Sequence, residues 1–326
     1  MSSSLEKTVI FLHLMKTGGR TLTRILKQNY PQDARFHCGQ RAGQSLKELS
    51  DMPEEQRRSL QFIYGHLQFG VHRLLPHPCT YITMLRHPVE RVMSHYYYAL
   101  HNPKHFTHQL VTEHNMSLSE YVEHGISDLN NGQVRAIAGD VSQQFQFGDS
   151  REDLLHEAQA NLDTFFSVVG ITEQFDESLL LLKHQLTLTR FLYTRANVNA
   201  SRRTHTTVSD DDIECIKHYN ALDLQLYDAA KQQLQKQIEC AGSSFQSELA
   251  LLKELNAQYE DAQSDLDTIK HQLSKLRRKL RRARRKRNQM KISLKHQEAE
   301  LSALMNCRSG KLWQAWIKLK QKLPKT

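Results

Sequence analysis

An α/β fold built on a parallel sheet, followed by a long coiled-coil helix, is predicted by three features of this 326-residue sequence. Apolar strand-like runs alternate with longer helical stretches across residues 7–240. That pattern breaks at Gly242-Ser243-Ser244, and beyond it apolar residues recur at alternate spacings of three and four. A hydrophobic fraction of 39% and a charged fraction of 24% are those of a globular chain with a real core. No apolar run approaches the roughly 18 residues a membrane span requires, and the stretch Val9–Leu14 beside Glu6 is too short for a secretory signal. The composition excludes a transmembrane or conventionally secreted protein. The five cysteines (Cys38, Cys79, Cys215, Cys240, Cys307) form no CxxC pair, so reduced thiols in a cytosolic compartment are expected.

The first strand is expected over Thr8–Leu14, with a helix over Arg20–Gln28; a second strand–helix pair is expected at Cys79–Leu85 and Val89–Leu100. Three regions follow from the pattern: an α/β domain over residues 1–241, a coiled coil over 242–305 and a basic amphipathic tail over 306–326. Sixteen heptad core positions run from Leu252 to Leu304, a rod of about 80 Å at helical rise, and they imply a homo-oligomer. The overall charge of +9 divides unevenly. Residues 268–326 hold 19 Lys and Arg against Glu298 and Glu300, leaving 25 basic and 33 acidic residues in 1–267. Lys275–Lys291 alone carries eleven basic residues and no acidic one. An anionic membrane surface, an acidic glycan or nucleic acid could neutralise it; without interleaved aromatics, base stacking is not favoured. Leu312, Trp316, Leu319 and Leu323 share a helical face flanked by lysines, which suits a membrane interface. A partner-docking or coil-capping helix is the alternative.

Chemistry concentrates after the first strand, in Leu12-His13-Leu14-Met15-Lys16-Thr17-Gly18-Gly19-Arg20-Thr21. Glycines let the backbone curl towards an anion, the following helix start points its amides at it, and Lys16 adds positive charge. Lys16 precedes the glycines, an order that excludes a standard Walker A loop. Arg86 at the end of the second strand and Ser94 on the next helix could meet on a second phosphate, a guanidinium fork beside a neutral donor.

Together, Lys16-Thr17-Gly18-Gly19 and the later Leu85-Arg86, Pro88, Arg91 and Ser94 resemble the cofactor signatures of carbohydrate sulfotransferases, nearest to the heparan-sulfate 2-O and 6-O type. Asn131–Arg135 with Gly139, Val169–Ser178 and Asn197–Arg203 are similar to later blocks of that family, so the resemblance covers residues 8–230. It implies a P-loop-like parallel sheet flanked by helices and a donor, 3'-phosphoadenosine 5'-phosphosulfate (PAPS), with no metal. Lys16, Thr17, Gly18, Gly19, Arg20 and Thr21 would surround the 5'-phosphosulfate. Arg86 and Ser94 would hold the 3'-phosphate, with Ser201 and Arg203 as further contacts. Tyr64-Gly65-His66 resembles the block carrying the catalytic histidine, which makes His66 the expected general base, with His72 as fallback and Lys16 as the electrophilic partner. An imidazole, titrating near ~6.5, suits proton abstraction at neutral pH.

The chain departs from that family at Met15, Arg20 and His87, where proline, threonine and aspartate are usual. Eukaryotic members usually carry an N-terminal anchor, whereas the first strand here begins near residue 8, so a cytoplasmic bacterial enzyme is expected, peripheral to the inner membrane. Its acceptor would be a glycan or glycolipid. The competing readings are a noncatalytic nucleotide-binding coiled-coil adaptor and a P-loop-type kinase, the latter lacking the Walker A order.

Overall fold

The structure is a computed structural model, and it describes residues 7–39, 42–139, 151–194, 208–306 and 308–321. The α/β part opens with β1 (Thr8–Leu12), α1 (Gly19–Lys27), β2 (Arg35–Cys38), α2 (Ala42–Asp51), α3 (Glu54–Arg58), β3 (Phe62–Gly65) and β4 (Cys79–Leu85). Helices α4 (Pro88–His101), α5 (His108–Glu113), α6 (Leu118–Glu123), α7 (Gly132–Ala138) and α8 (Glu152–Phe165) lead to β5 (Phe166–Ile171). The remaining helices are α9 (Phe175–Leu186), α10 (Asp210–Tyr219), α11 (Ala221–Cys240), α12 (Gly242–Asn306) and α13 (Arg308–Gln321).

The five strands form one sheet in the order β2-β3-β1-β4-β5, and every pairing is parallel. Strand β1 is buried along its whole length, as its unbroken apolar run requires, and its side chains alternate between the two faces. Ile10 and Leu12 join the cluster that includes Ile63 and Leu85; Val9 and Phe11 join Leu22, Phe62 and Ile82 on the other face. Because β1 has β3 on one side and β4 on the other, the chain leaves its C-terminal edge in opposite directions, opening the crevice where α/β sheets bind ligands. The expected strand and helix after residue 8 and the pair after Cys79 are present within two residues at each end.

A buried ion pair fixes the helical layer. Arg91 Nη2 donates to Asp223 Oδ2 at 3.2 Å, both side chains being almost wholly removed from water. Asp223 also accepts the amides of Gln133 (3.1 Å) and Val134 (2.8 Å), capping the N-terminus of α7 from a residue 90 positions downstream. Gly132 is tight here, a Cβ lying 3.3 Å from Arg91 Nη2. Arg91, met as part of a cofactor signature, and Gln133 and Val134 of the later family block are thereby committed to architecture.

The chain divides into two compact units, Met1–Glu260 and Asp261–Thr326. The first extends about twenty residues past the boundary expected at 241. Phe245, Leu249 and Leu252 of α12 are buried in the same cluster as β1, and Asn256 Oδ1 accepts the Tyr193 amide at 3.2 Å. Lys183–Glu248 and Lys253–Glu177, each 3.0 Å, flank that contact. Leu252, expected to open a coiled coil, is therefore a core residue of the α/β unit. In the second unit Leu266, Ile269, Leu273, Leu276 and Leu280 are exposed.

Removing the Phe245 ring should leave a cavity in that core. Phe245→Ala is expected to lower unfolding free energy by about 3–5 kcal/mol in urea denaturation, while the exposed neighbour Leu251→Ala stays within about 0.5 kcal/mol. Equal effects would mean that α12 does not belong to the α/β core.

Candidate active site

Between β1 and α1 the chain makes a left-handed turn. Lys16 has φ 67° and Gly18 φ 74°; glycine adopts this region freely, whereas the lysine is held there by its neighbours. The Thr17 hydroxyl donates to the Leu14 carbonyl (2.9 Å), closing the turn internally, so what Thr17 presents to a ligand is backbone. The Thr172 hydroxyl lies 2.8 Å from the carbonyls of both Thr17 and Leu85 and shares its proton between them, tying the turn to the ends of β4 and β5. Gly19 cannot carry a side chain: a Cβ would stand 2.0 Å from the His13 ring. Thr21 donates its amide to the Gly18 carbonyl at 3.0 Å and is buried, while Arg20 is exposed on the first turn of α1. The leading amides of α1 thus face the turn with its lysine and arginine.

Arg86 fastens this loop to β4. Its backbone is clamped by Gln133, which donates to the Arg86 carbonyl and accepts its amide, both at 3.0 Å. Its guanidinium donates to the Lys16 carbonyl (3.0 Å) and to Glu90 (3.2 Å), with Glu173 at 4.0 Å. His87, standing where a carboxylate is usual, gives its amide to Glu173 (3.1 Å), so Glu90 and Glu173 supply the negative charge beside Arg86. Glu90, Ser94 and Tyr98 recur every fourth residue and form one stripe of α4. Glu90 meets Arg86, and Lys16 Nζ sits 3.3 Å above the centre of the Tyr98 ring. Ser94 lies between them, so residues more than seventy positions apart converge on one crevice. Burial, reinforced by Arg86 and Arg20, pushes the Lys16 ammonium down to about 7.

His66 follows directly on β3, one strand from β1. Its Nδ1 lies 2.9 Å from the His13 carbonyl oxygen, which can only accept, so in the neutral ring the proton is on Nδ1 and the lone pair on Nε2. The His13 and His66 rings are 4.5 Å apart. Burial, then His66 and Arg20, pushes His13 down to about 3, so it stays neutral at physiological pH. Both rings line a cavity of about 550 Å³ with Arg20, Arg24, Lys27 and His37, and among the described residues no carboxylate lines it.

The structure separates the two histidine candidates. His72 packs against Phe69 and Phe165 and bonds through Nδ1 to the Tyr81 hydroxyl at 3.0 Å, near the starts of β4 and β5 and so at the opposite edge of the sheet. Burial pushes its pKa down. Ser201 and Arg203 lie outside the described residues. Sequence reasoning passed over His13, Glu90, Tyr98 and Thr172. Tyr98 stands four residues after Ser94, and that spacing was the available signal; Thr172 falls within the Val169–Ser178 block, which assigned it no role.

A model of the family described as Galactose-3-O-sulfotransferase matches residues 2–300. The chain is 26% identical over 274 residues to heparan-sulfate 6-O-sulfotransferase 1 of Gallus gallus, covering 69% of this chain and 65% of that protein. It is 24% identical over 245 residues to galactose-3-O-sulfotransferase 2 of Mus musculus, covering 67% and 59%. The matches thus span less than two thirds of either relative's length. A solved structure of the mouse sulfotransferase SULT7A1 complexed with PAP aligns with TM-score 0.33 and 16% identity over 60% of this chain and 61% of that one.

The depressed Lys16 ammonium has a direct readout. In competitive acylation followed by peptide mass spectrometry, Lys16 should react ahead of exposed lysines, with a midpoint near its value of about 7. A midpoint at the ordinary lysine value of about 10.4 would contradict the burial and the crowding of positive charge described above.

Proposed function

The chain belongs to the galactose-3-O-sulfotransferase family, and from that premise we propose that it moves a sulfuryl group from PAPS to a hydroxyl of a carbohydrate or glycolipid. The observation that carries this reading is the position of His66, its tautomer set by the His13 carbonyl, at the end of the strand beside the Lys16–Thr21 turn. The residues of the turn fit the donor. Burial, then the charges of Arg86 and Arg20, depresses Lys16, and an arriving phosphosulfate would offset that crowding of charge.

When bound, the donor supplies an electrophilic sulfur and a phosphate leaving group. His66 Nε2 takes the proton of the acceptor hydroxyl as its oxygen bonds to sulfur. The Lys16 ammonium stabilises charge on the departing phosphate oxygen, and the leading amides of α1 hold the remaining oxygens. Arg86 and Ser94 receive the 3'-phosphate, with Arg86 exchanging its Glu90 contact for the stronger anion. The acceptor enters from the His13–His66 cavity, whose Arg20, Arg24 and Lys27 favour a glycan bearing negative charge near the reacting hydroxyl. In the second unit, the exposed stripe through Leu266, Leu273 and Leu280 supports self-association as a coiled coil.

Calorimetric titration with 3'-phosphoadenosine 5'-phosphate tests the donor site. Lys16→Ala and Arg86→Ala should each weaken binding at least about tenfold, the value of a charge-assisted contact. His66→Ala should bind normally and lose turnover by about 10²–10⁴. Because the anion raises the Lys16 pKa from about 7, binding takes up a proton, so affinity falls as pH rises through 7; Lys16→Arg should flatten that dependence. Failure of the wild type to bind would overturn the proposal. For the coil, Leu273→Asp with Leu280→Asp should convert the oligomer to monomer in sedimentation equilibrium.

A further inference from the structure

Helical periodicity gives α13 two opposed faces. Gly310, Gln314 and Ile317 form the first, which lies against the end of α12. A Cβ on Gly310 would stand 2.2 Å from the Leu304 carbonyl oxygen, and Gln314 Nε2 donates to Met305 Sδ at 3.5 Å. Leu312, Trp316 and Leu319 lie almost diametrically opposite and are 70%, 55% and 67% exposed, with Trp313 on their border. Lys311 and Lys318 flank this face on one side and Lys320 on the other, its Nζ 5.0 Å from the Trp316 ring centre.

Packing through the small face leaves the large apolar one in water, an unfavourable arrangement unless something covers it. The cover has to be apolar where it meets leucine and tryptophan and anionic where it meets the lysines. The same unit carries Lys275–Lys291, whose eleven cations have no acidic residue among them. Nucleic acid supplies the charge without an apolar phase, and a second copy of the same face brings like charges together. A bilayer interface with acidic headgroups supplies both, and indole rings partition to that boundary. Among the described residues no helix is long and apolar enough to cross a membrane, so the helix would lie in the interface plane.

We propose that α13 and the 275–291 stretch of α12 together bind an anionic phospholipid surface, with Leu312, Trp316 and Leu319 entering the headgroup–acyl boundary. This goes beyond the catalytic reading and does not depend on it.

Both tryptophans of the chain are Trp313 and Trp316, so tryptophan emission of the full-length protein, excited selectively on the red side of tyrosine absorption, reports on this helix alone. Vesicles of phosphatidylcholine with about one third phosphatidylglycerol should shift the emission to the blue and bind at least about tenfold more tightly than pure phosphatidylcholine. Leu312→Glu with Leu319→Glu should abolish the shift. Arg281→Gln, Arg282→Gln, Arg284→Gln and Arg285→Gln together should reduce the preference for acidic lipid while leaving α13 untouched. No shift with acidic vesicles overturns the proposal, as does co-sedimentation without a shift, which would make the basic stretch a general polyanion binder. An equal shift with duplex DNA and no vesicles also overturns it, in favour of nucleic acid.

Discussion

The buried carboxylate of Asp223 is the constraint on which the site depends. It accepts from Arg91 and from the first amides of α7, and this fixes Gln133. Gln133 clamps the backbone of Arg86, whose guanidinium binds the Lys16 carbonyl. A charge removed from water is tolerated only while its partners stay in place, so the ion pair transmits rigidity from α11 to a loop more than two hundred residues earlier. Thr172 adds a second tie from β5. The left-handed lysine persists because both ties hold its turn.

The same geometry accounts for the electrostatics. Lys16 is partly buried above Tyr98 and faces Arg86 and Arg20, so the turn carries more positive charge than its surroundings stabilise. Glu90 and Glu173 compensate Arg86, not Lys16. An anion brought to the turn would offset the charge that Arg86 and Arg20 set against the buried Lys16. On the other side of the turn, His13 is kept neutral by burial and its carbonyl orients His66. The cationic turn and the His13–His66 pair thus sit on neighbouring strands, with Arg20 facing both.

The acidic α/β unit and the basic second unit obey different rules. In the first, apolar clusters on both faces of the sheet dominate, and α12 contributes its first turns to one of them. In the second, leucines and tryptophans are exposed and charge of one sign accumulates.

The strand at Thr8–Leu12, the helix after Gly18, the pair at Cys79–His101 and the long helix were legible because strand and helix periods are local properties of the sequence. The turn around Lys16 was legible for the same reason, whereas His66 was singled out only through the resemblance of Tyr64-Gly65-His66 to a family block. Other features were decided only by contacts between distant segments. Periodicity cannot distinguish His66 from His72, six residues apart, but the fold sends them to opposite edges of the sheet. It could not show that the Thr17 hydroxyl is consumed by Leu14, or that Arg91 serves Asp223. Nor could a heptad pattern reveal that Leu252 packs on the α/β core, since an apolar residue at helical spacing fits a coil seam and a domain surface equally well. Local sequence set which elements form; burial and hydrogen-bond satisfaction across long separations decided which side chains were left available for chemistry.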